Sequence, residues 1–185
     1  MSLTLNTPPS TEPVSLAEAK AHLKLDTSDE DDLVAALIAA ARARAEWHTG
    51  RALIAQSWTL WLDAWPRDAI EIPLPPLQSV TRLVVHAPDD TPRILDPSTY
   101  RIDAASAPAR LALKENISPP TNLRPMNAVE LAFTAGYGEA DAVPAPFKQA
   151  ILQIVADLHT NRGDADAVVS NAAQALLAPY RIFKL

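Results

Sequence analysis

Five carboxylates crowd into seven positions, Asp26, Asp29, Glu30, Asp31 and Asp32. A run of that density first raises calcium binding. A calcium loop of the helix–loop–helix type needs oxygen ligands at alternate positions and a glycine at the sixth, where the chain turns sharply. Counting from Asp26, the third position is Ser28 and the fifth Glu30, but the sixth is Asp31. The run therefore reads as a solvated helix N-terminus, where carboxylates interact favourably with the helix dipole. The histidines are His22, His48, His86 and His159. No two are spaced three to five apart, so none forms a local metal pair. Ala135-Gly136-Tyr137-Gly138 lacks the spacing of a phosphate-binding loop and reads as a turn between a strand and a helix. Arg162-Gly163-Asp164 spells an adhesion triplet but reads as a helix end. The absence of cysteine excludes disulfides, thiol nucleophiles, thiolate zinc sites and iron–sulfur clusters. No catalytic, cofactor or metal residue emerges. An enzyme would have to assemble a dispersed site from residues such as His48, Asp63 and His86.

Composition narrows the classes further. The chain has 185 residues, 22 acidic and 16 basic, for a net charge of −6. That balance opposes sequence-independent nucleic-acid binding, which needs positive charge to displace counterions. Hydrophobic residues make up 48%, but 34 of them are alanines, leaving enough larger side chains for one ordinary core. No apolar run approaches the roughly 20 residues of a membrane span. The N-terminus lacks a basic segment followed by an apolar one, so a soluble protein without an export signal is expected.

The elements that would position these residues follow from the prolines. They fall at 8, 9 and 13, then eleven lie between Pro66 and Pro125, then Pro144, Pro146 and Pro179. Proline breaks helix interiors, so the proline-free stretches 14–65 and 147–178 are where helices fit. Ser15 and Glu18 have capping-box spacing ahead of a helix over about 15–23. Leu33, Leu37, Ala41 and Ala45, flanked by Val34 and Ile38, predict a second helix ending at Gly50. Alternation at Trp58, Leu60 and Leu62, at Ile70 and Ile72, over 79–87, at 100–103 and 110–113, and at Val129, Leu131 and Phe133 predicts short antiparallel strands. Phe147, Ile151, Ile154, Val155 and Leu158 restore the helical period. The expected fold is α+β, a helical bundle with an antiparallel β-rich insertion. The expected divisions are a flexible terminus at 1–13 and a single domain over 14–163. That domain has helices at 15–49 and 145–162 and the insertion at about 54–135. A mobile loop at 164–175 and an extended C-terminal tail at 176–185 complete the chain.

Two apolar features need cover. Trp47 and Trp58 are expected to pack at the hinge between helix and strand, whereas Trp61 falls on the opposite strand face and calls for a second layer or a partner. The tail, Leu176 and Leu177 followed by Tyr180, Arg181, Ile182, Phe183, Lys184 and Leu185, must dock on its own core or on another chain.

Taken in order, PVSLAEAKAHLKLD, EDDLVAALIAAARARAEWHTGRALIAQSWTLWLD, IPLPPLQSVTRL, YRID, NAVELAFTAGYG, VPAPFKQAILQ and LLAPYRIFKL resemble the head–tail connector (adaptor) family of long-tailed double-stranded DNA phages, prophages and gene transfer agents. The resemblance runs from about Pro13 to Leu185. The chain departs from the family at 157–162, where an aromatic-rich helix end is usual, and at Pro119-Pro120, where tryptophan is frequent. The resemblance implies a non-enzymatic subunit without cofactors. It implies a ring, commonly twelvefold, under the portal of the particle neck, assembled in the bacterial cytoplasm. Such a ring joins the portal to the next neck protein, a stopper or tail-completion protein, and lets DNA pass without specific binding. By position the portal contact would be Leu176 to Leu185. Asp29, Glu30, Asp31 and Asp32 are expected at the channel or facing a neighbour's Arg42 or Arg44, with Trp61 also at an interface. The alternative within the same assembly is a stopper or terminator.

Overall fold

The structure, a computed structural model, describes residues 1–161 and 170–182. The chain forms two compact units, Met1–Pro9 with Ala55–Gly136, and Ser10–Ile54 with Tyr137–Leu185.

The second unit is helical. Helix α1 (Leu16–Leu23) opens on a reciprocal cap: the Glu18 N–H donates to the Ser15 hydroxyl at 3.2 Å, and the Ser15 N–H donates to the Glu18 carboxylate at 2.8 Å. Those bonds hold the Glu18 carboxyl below its ordinary value. Helix α2 (Asp31–Thr49) stops at Gly50, whose φ of 70° is the left-handed conformation that glycine adopts without a Cβ penalty. Helix α3 (Ala145–Thr160) packs on α2, and α4 (Asn171–Leu177), capped by Ser170, packs on α3. Val34, Ile38, Ala41 and Ala45 join Phe147, Ile151, Ile154, Val155 and Leu177 in one buried cluster. Full burial of each large member contributes roughly 1.5–3 kcal/mol.

The buried stripe of α2 differs from the expected one. It runs through Val34, Ile38, Ala41, Ala45 and Thr49, while Leu33 is left 37% exposed. The run Leu33-Val34-Ala35-Ala36-Leu37-Ile38 offers two overlapping helical faces, and packing against α3 selects the one centred on Val34 and Ile38.

The first unit is built of antiparallel strands: β1 (Ser2–Thr7), β2 (Gln56–Leu62), β3 (Ile70–Ile72), β4 (Leu77–His86), β5 (Pro92–Ile94), β6 (Tyr100–Asp103), β7 (Ala109–Leu113) and β8 (Val129–Ala135). They form a five-stranded sheet in the order β1-β2-β8-β4-β5 and a three-stranded sheet in the order β3-β7-β6. In the larger sheet Leu60, Leu131 and Leu83 lie side by side and are fully buried. Trp61, Glu130 and Val84 line up one residue on, so the strand period of two sends them to the opposite face. A bulge at Thr81 re-phases β4, and its hydroxyl donates to the Ala132 carbonyl at 3.0 Å. In the smaller sheet Ile70 pairs with Leu111 and Ile72 with Ala109, all four buried.

Three expected divisions change. Residues 2–7 are not a loose terminus: Leu3 pairs with Leu60 and Leu5 with Trp58, and the Asn6 side-chain amide donates to the Thr59 hydroxyl at 2.8 Å. Residues 171–175 belong to α4, while 164–169 lie outside the described residues. One expected domain is two compact units, the β-rich one including the first nine residues. Among the described residues no helix is long and apolar enough to cross a membrane.

Candidate interaction surface

The acidic run sits at the head of α2. Glu30 is the residue before the helix, and its carboxylate lies 2.8 Å from His159 Nε2 on α3. Asp31 is paired with Lys20 of α1. These two contacts fasten the α1–α2 connection to its neighbours. Asp29 and Asp32 are exposed and form no ion pair among the described residues.

Arg42 does not face outward as an inter-subunit cation would. Its Nε donates to Glu12 at 2.8 Å and its Nη1 to Glu46 at 2.7 Å, with 14% of the side chain exposed. Glu46 also accepts the Leu53 N–H at 2.9 Å. The guanidinium is therefore spent on tying residue 12 and the start of the 51–54 segment to α2. Arg44 is half-buried and also engaged within the chain.

The C-terminal segment docks on its own unit. Leu177 is fully buried in the helical core. The Tyr180 ring lies 4.6 Å from that of Phe147, and its carbonyl accepts Arg51 Nε at 2.6 Å. The Ile182 N–H donates to the Thr49 carbonyl at 2.9 Å, one of the carbonyls that a helix end leaves open, and its side chain covers Gly50. Beside it, partial burial first and Arg181 second push the His48 imidazole below its ordinary value. Leu176 is partly buried against the same core. Of the expected portal residues, Leu177 and Tyr180 thus serve this chain's own packing, Arg181 and Ile182 close the segment, and Phe183, Lys184 and Leu185 lie outside the described residues. Arg162, Gly163 and Asp164 lie outside them as well.

On the larger sheet Trp61 is half-buried, its ring 6.3 Å from that of His86. Between them in the register is Glu130, 8% exposed, which accepts from Arg82 and lies 3.2 Å from His86 Nε2. Sequence alternation placed Trp61 on this face but gave no sign of the Arg82–Glu130–His86 group, whose members are brought together only by strand pairing. Trp47, expected to pack inward, is instead 87% exposed.

Two open grooves flank the Pro119–Leu123 segment, one of about 480 Å³ lined by Asp63–Arg67 and Pro119–Pro125, the other of about 490 Å³ with Val85, Thr91 and Arg93. Their titratable groups are Asp63, Arg67, Arg93 and Arg124. Asp63 accepts the Asn127 N–H at 3.0 Å. His86 is held by Glu130, and neither groove places a nucleophile against a base. Among the described residues no three or more His, Asp or Glu converge as metal ligands would. The two grooves are open surface lined by few titratable groups.

The sequence model of the phage gp6-like head-tail connector proteins matches residues 13–90, so the resemblance to head–tail connectors holds over α1, α2 and strands β2–β4. No curated protein matches. Among solved structures, a chain in the neck of an empty gene transfer agent (GTA) particle, computed with C6 symmetry, is 26% identical with a TM-score of 0.84. A chain in the neck of a native GTA particle, computed with C12 symmetry, is 27% identical with a TM-score of 0.81. A chain from the virion of a native GTA particle is 27% identical with a TM-score of 0.83. Each of the three is covered over 97% of its length, and each covers all of this chain.

Proposed function

We propose that this chain, similar over residues 13–90 to gp6-like head-tail connectors, is a structural subunit of the neck of a phage-like particle. Copies form a ring that joins the DNA-filled head to the tail and lets DNA through. The observation that carries this reading is the end-to-end correspondence with chains of GTA necks, including those computed with C6 and C12 symmetry. A match confined to a helical hairpin would support a shared motif; one that includes both sheets and the C-terminal segment supports a shared part of the particle.

The chain's own physics fits. Its negative balance does not reward counterion release, so DNA passing a lumen lined by it is not gripped. Asp29 and Asp32, exposed at the head of α2, are the carboxylates available to the lumen or to the joint between copies. The portal is the partner on the head side and a stopper or tail-completion protein the partner below, with assembly in the bacterial cytoplasm. Since Leu177 and Tyr180 are committed to this chain's own core, the portal contact falls to the residues after Ile182, with Phe183 and Leu185 as apolar anchors and Lys184 as a charge complement.

Electron microscopy of the necks of particles from the producing cells tests the reading. A ring of this chain directly under the portal is expected. Particles with complete necks that lack the chain would overturn it.

A further inference from the structure

The larger sheet has two edges, and they are built differently. In an antiparallel sheet, successive residues of a strand turn their N–H and C=O to opposite neighbours. The His86 N–H donates to the Ala128 carbonyl at 2.8 Å, so Glu130 and Ala132 of β8 bond β4, while Leu131 and Phe133 bond β2. Carried across the register, Thr59 and Trp61 bond β1 through Thr4 and Ser2, and Leu3 and Leu5 turn their N–H and C=O outward. No group among the described residues bonds these two donors and two acceptors.

At the other edge the Ala87 N–H donates to the Thr91 carbonyl and the Leu95 N–H to the Leu83 carbonyl, so Pro92 and Ile94 are the outward residues of β5. Proline brings no N–H, and the exposed Arg93 stands between the two, both of them devices that keep an edge strand from pairing. Strand β1 has neither. Ser2–Thr7 contains no proline and no charge, and its bulge lies beyond Leu5. The apolar side of the sheet also runs out there. Along one row of the register Leu83, Leu131 and Leu60 are fully buried and Leu3 is half-buried. Along the next row on the same face Phe133 is buried, Trp58 half-buried and Leu5 42% exposed.

We infer that the β1 edge is completed in the particle by a strand from an adjoining neck protein, an extended uncharged segment with apolar side chains at alternate positions. The inference rests on the neck role proposed above and names the surface and the chemistry of its occupant. The incoming backbone meets the N–H and C=O of Leu3 and Leu5, and its apolar side chains extend the rows that end at those leucines. Its other side chains stand beside Ser2 and Thr4 and are polar. A second copy of this chain does not fill the place. β1 against β1 is a two-fold contact that closes at two chains, which copies related by ring rotation do not make. β1 against β5 meets an edge from which Pro92 has removed a donor.

Hydrogen exchange read residue by residue tests the edge. In the free subunit the Leu3 and Leu5 amides should exchange near the rate of an open chain, while the Thr4 amide, bonded to β2, is slower. In intact particles both leucine amides should slow by at least about tenfold. Leucine amides already slow in the free subunit, or unchanged in particles, overturn the inference. In parallel, p-benzoylphenylalanine placed at the exposed Thr4 and irradiated in particles should join this chain to one other neck protein, at a segment whose apolar residues alternate. Adducts between copies of this chain only, adducts at a helical segment of the other protein, or no adduct count against it. Leu5→Pro removes one outward donor and leaves the bonds to β2 in place. Compared with Leu5→Ala, it should keep the urea midpoint of the free subunit within about 0.3 M and lower the fraction of heads joined to tails by about tenfold. A larger midpoint shift would show that the Leu5 N–H faces β2, and equal joining by the two variants would show that no strand uses it. Wild-type chain seen as a ring in the neck with both leucine amides still fast would sink the added strand and leave the neck role standing. Absence of wild-type chain from the neck would sink the role itself.

Discussion

The C-terminal segment and the outer face of α2 begin from the same chemistry and end differently. Both present large apolar groups. In the segment, Leu177 enters the helical core, Tyr180 lies against Phe147, and Ile182 covers Gly50. On α2, Leu33 and Trp47 stay in solvent. The chain covers one set with its own helices and leaves the other exposed. Apolar content in a sequence therefore does not by itself identify an interface, because the fold buries part of it within the chain.

Breaking the covered side should have the larger effect on the free subunit. Leu177→Ala removes most of a fully buried side chain from the cluster shared with Phe147 and Ile151. A loss of about 2–5 kcal/mol is expected for the helical unit, read as a lowered urea midpoint. A loss below about 1 kcal/mol would mean that the segment is not docked in solution.

A smaller effect should come from acid. His48 lies on the last turn of α2, where partial burial and then Arg181 disfavour its charged form. Its folded value is below the ordinary 6.5, so the unfolded or undocked state binds the proton more readily. The stabilisation is complete above the ordinary value and is lost as the pH falls through it towards the folded value. Hydrogen exchange at the Ile182 amide, which donates to Thr49, should therefore speed up beyond the intrinsic pH trend between about pH 7.5 and about pH 5.5. His48→Gln should abolish that excess. An unchanged excess in the variant would remove His48 from the explanation.

How far these regions could be read beforehand depended on whether the deciding contact was local. The Ser15–Glu18 cap, the stop at Gly50 and the face of α3 carrying Phe147, Ile151 and Ile154 are set within a few residues, and each is where the pattern put it. Strand β1 was missed because Ser2–Thr7 holds only Leu3 and Leu5 as large apolar residues, and its partner β2 lies some fifty residues on. The outward turn of Leu33 and Trp47 was missed because α2 has enough alanine and leucine to show several plausible faces, and only α3 chooses among them. The bond from Arg42 to Glu12 joins residues thirty apart, and no local pattern announces it. In each miss a contact distant in sequence overrode a local pattern.

The smallest effect on stability should come from the largest exposed side chain. Trp47→Ser removes an indole that is 87% exposed, from a helix whose buried line is carried by Val34, Ile38, Ala41 and Ala45. Serine and tryptophan are similar as helix formers, and no core volume is lost. The urea midpoint of the free subunit should therefore stay within about 0.5 kcal/mol of the parent. A destabilisation of more than about 1 kcal/mol would show that the indole is covered by its own chain in solution. The contrast with Leu177 would then collapse, because both apolar sets would be internal. If instead stability holds while occupancy in the neck falls, the indole's contribution lies between copies. A tryptophan that the folded chain does not need would then be accounted for by the assembly.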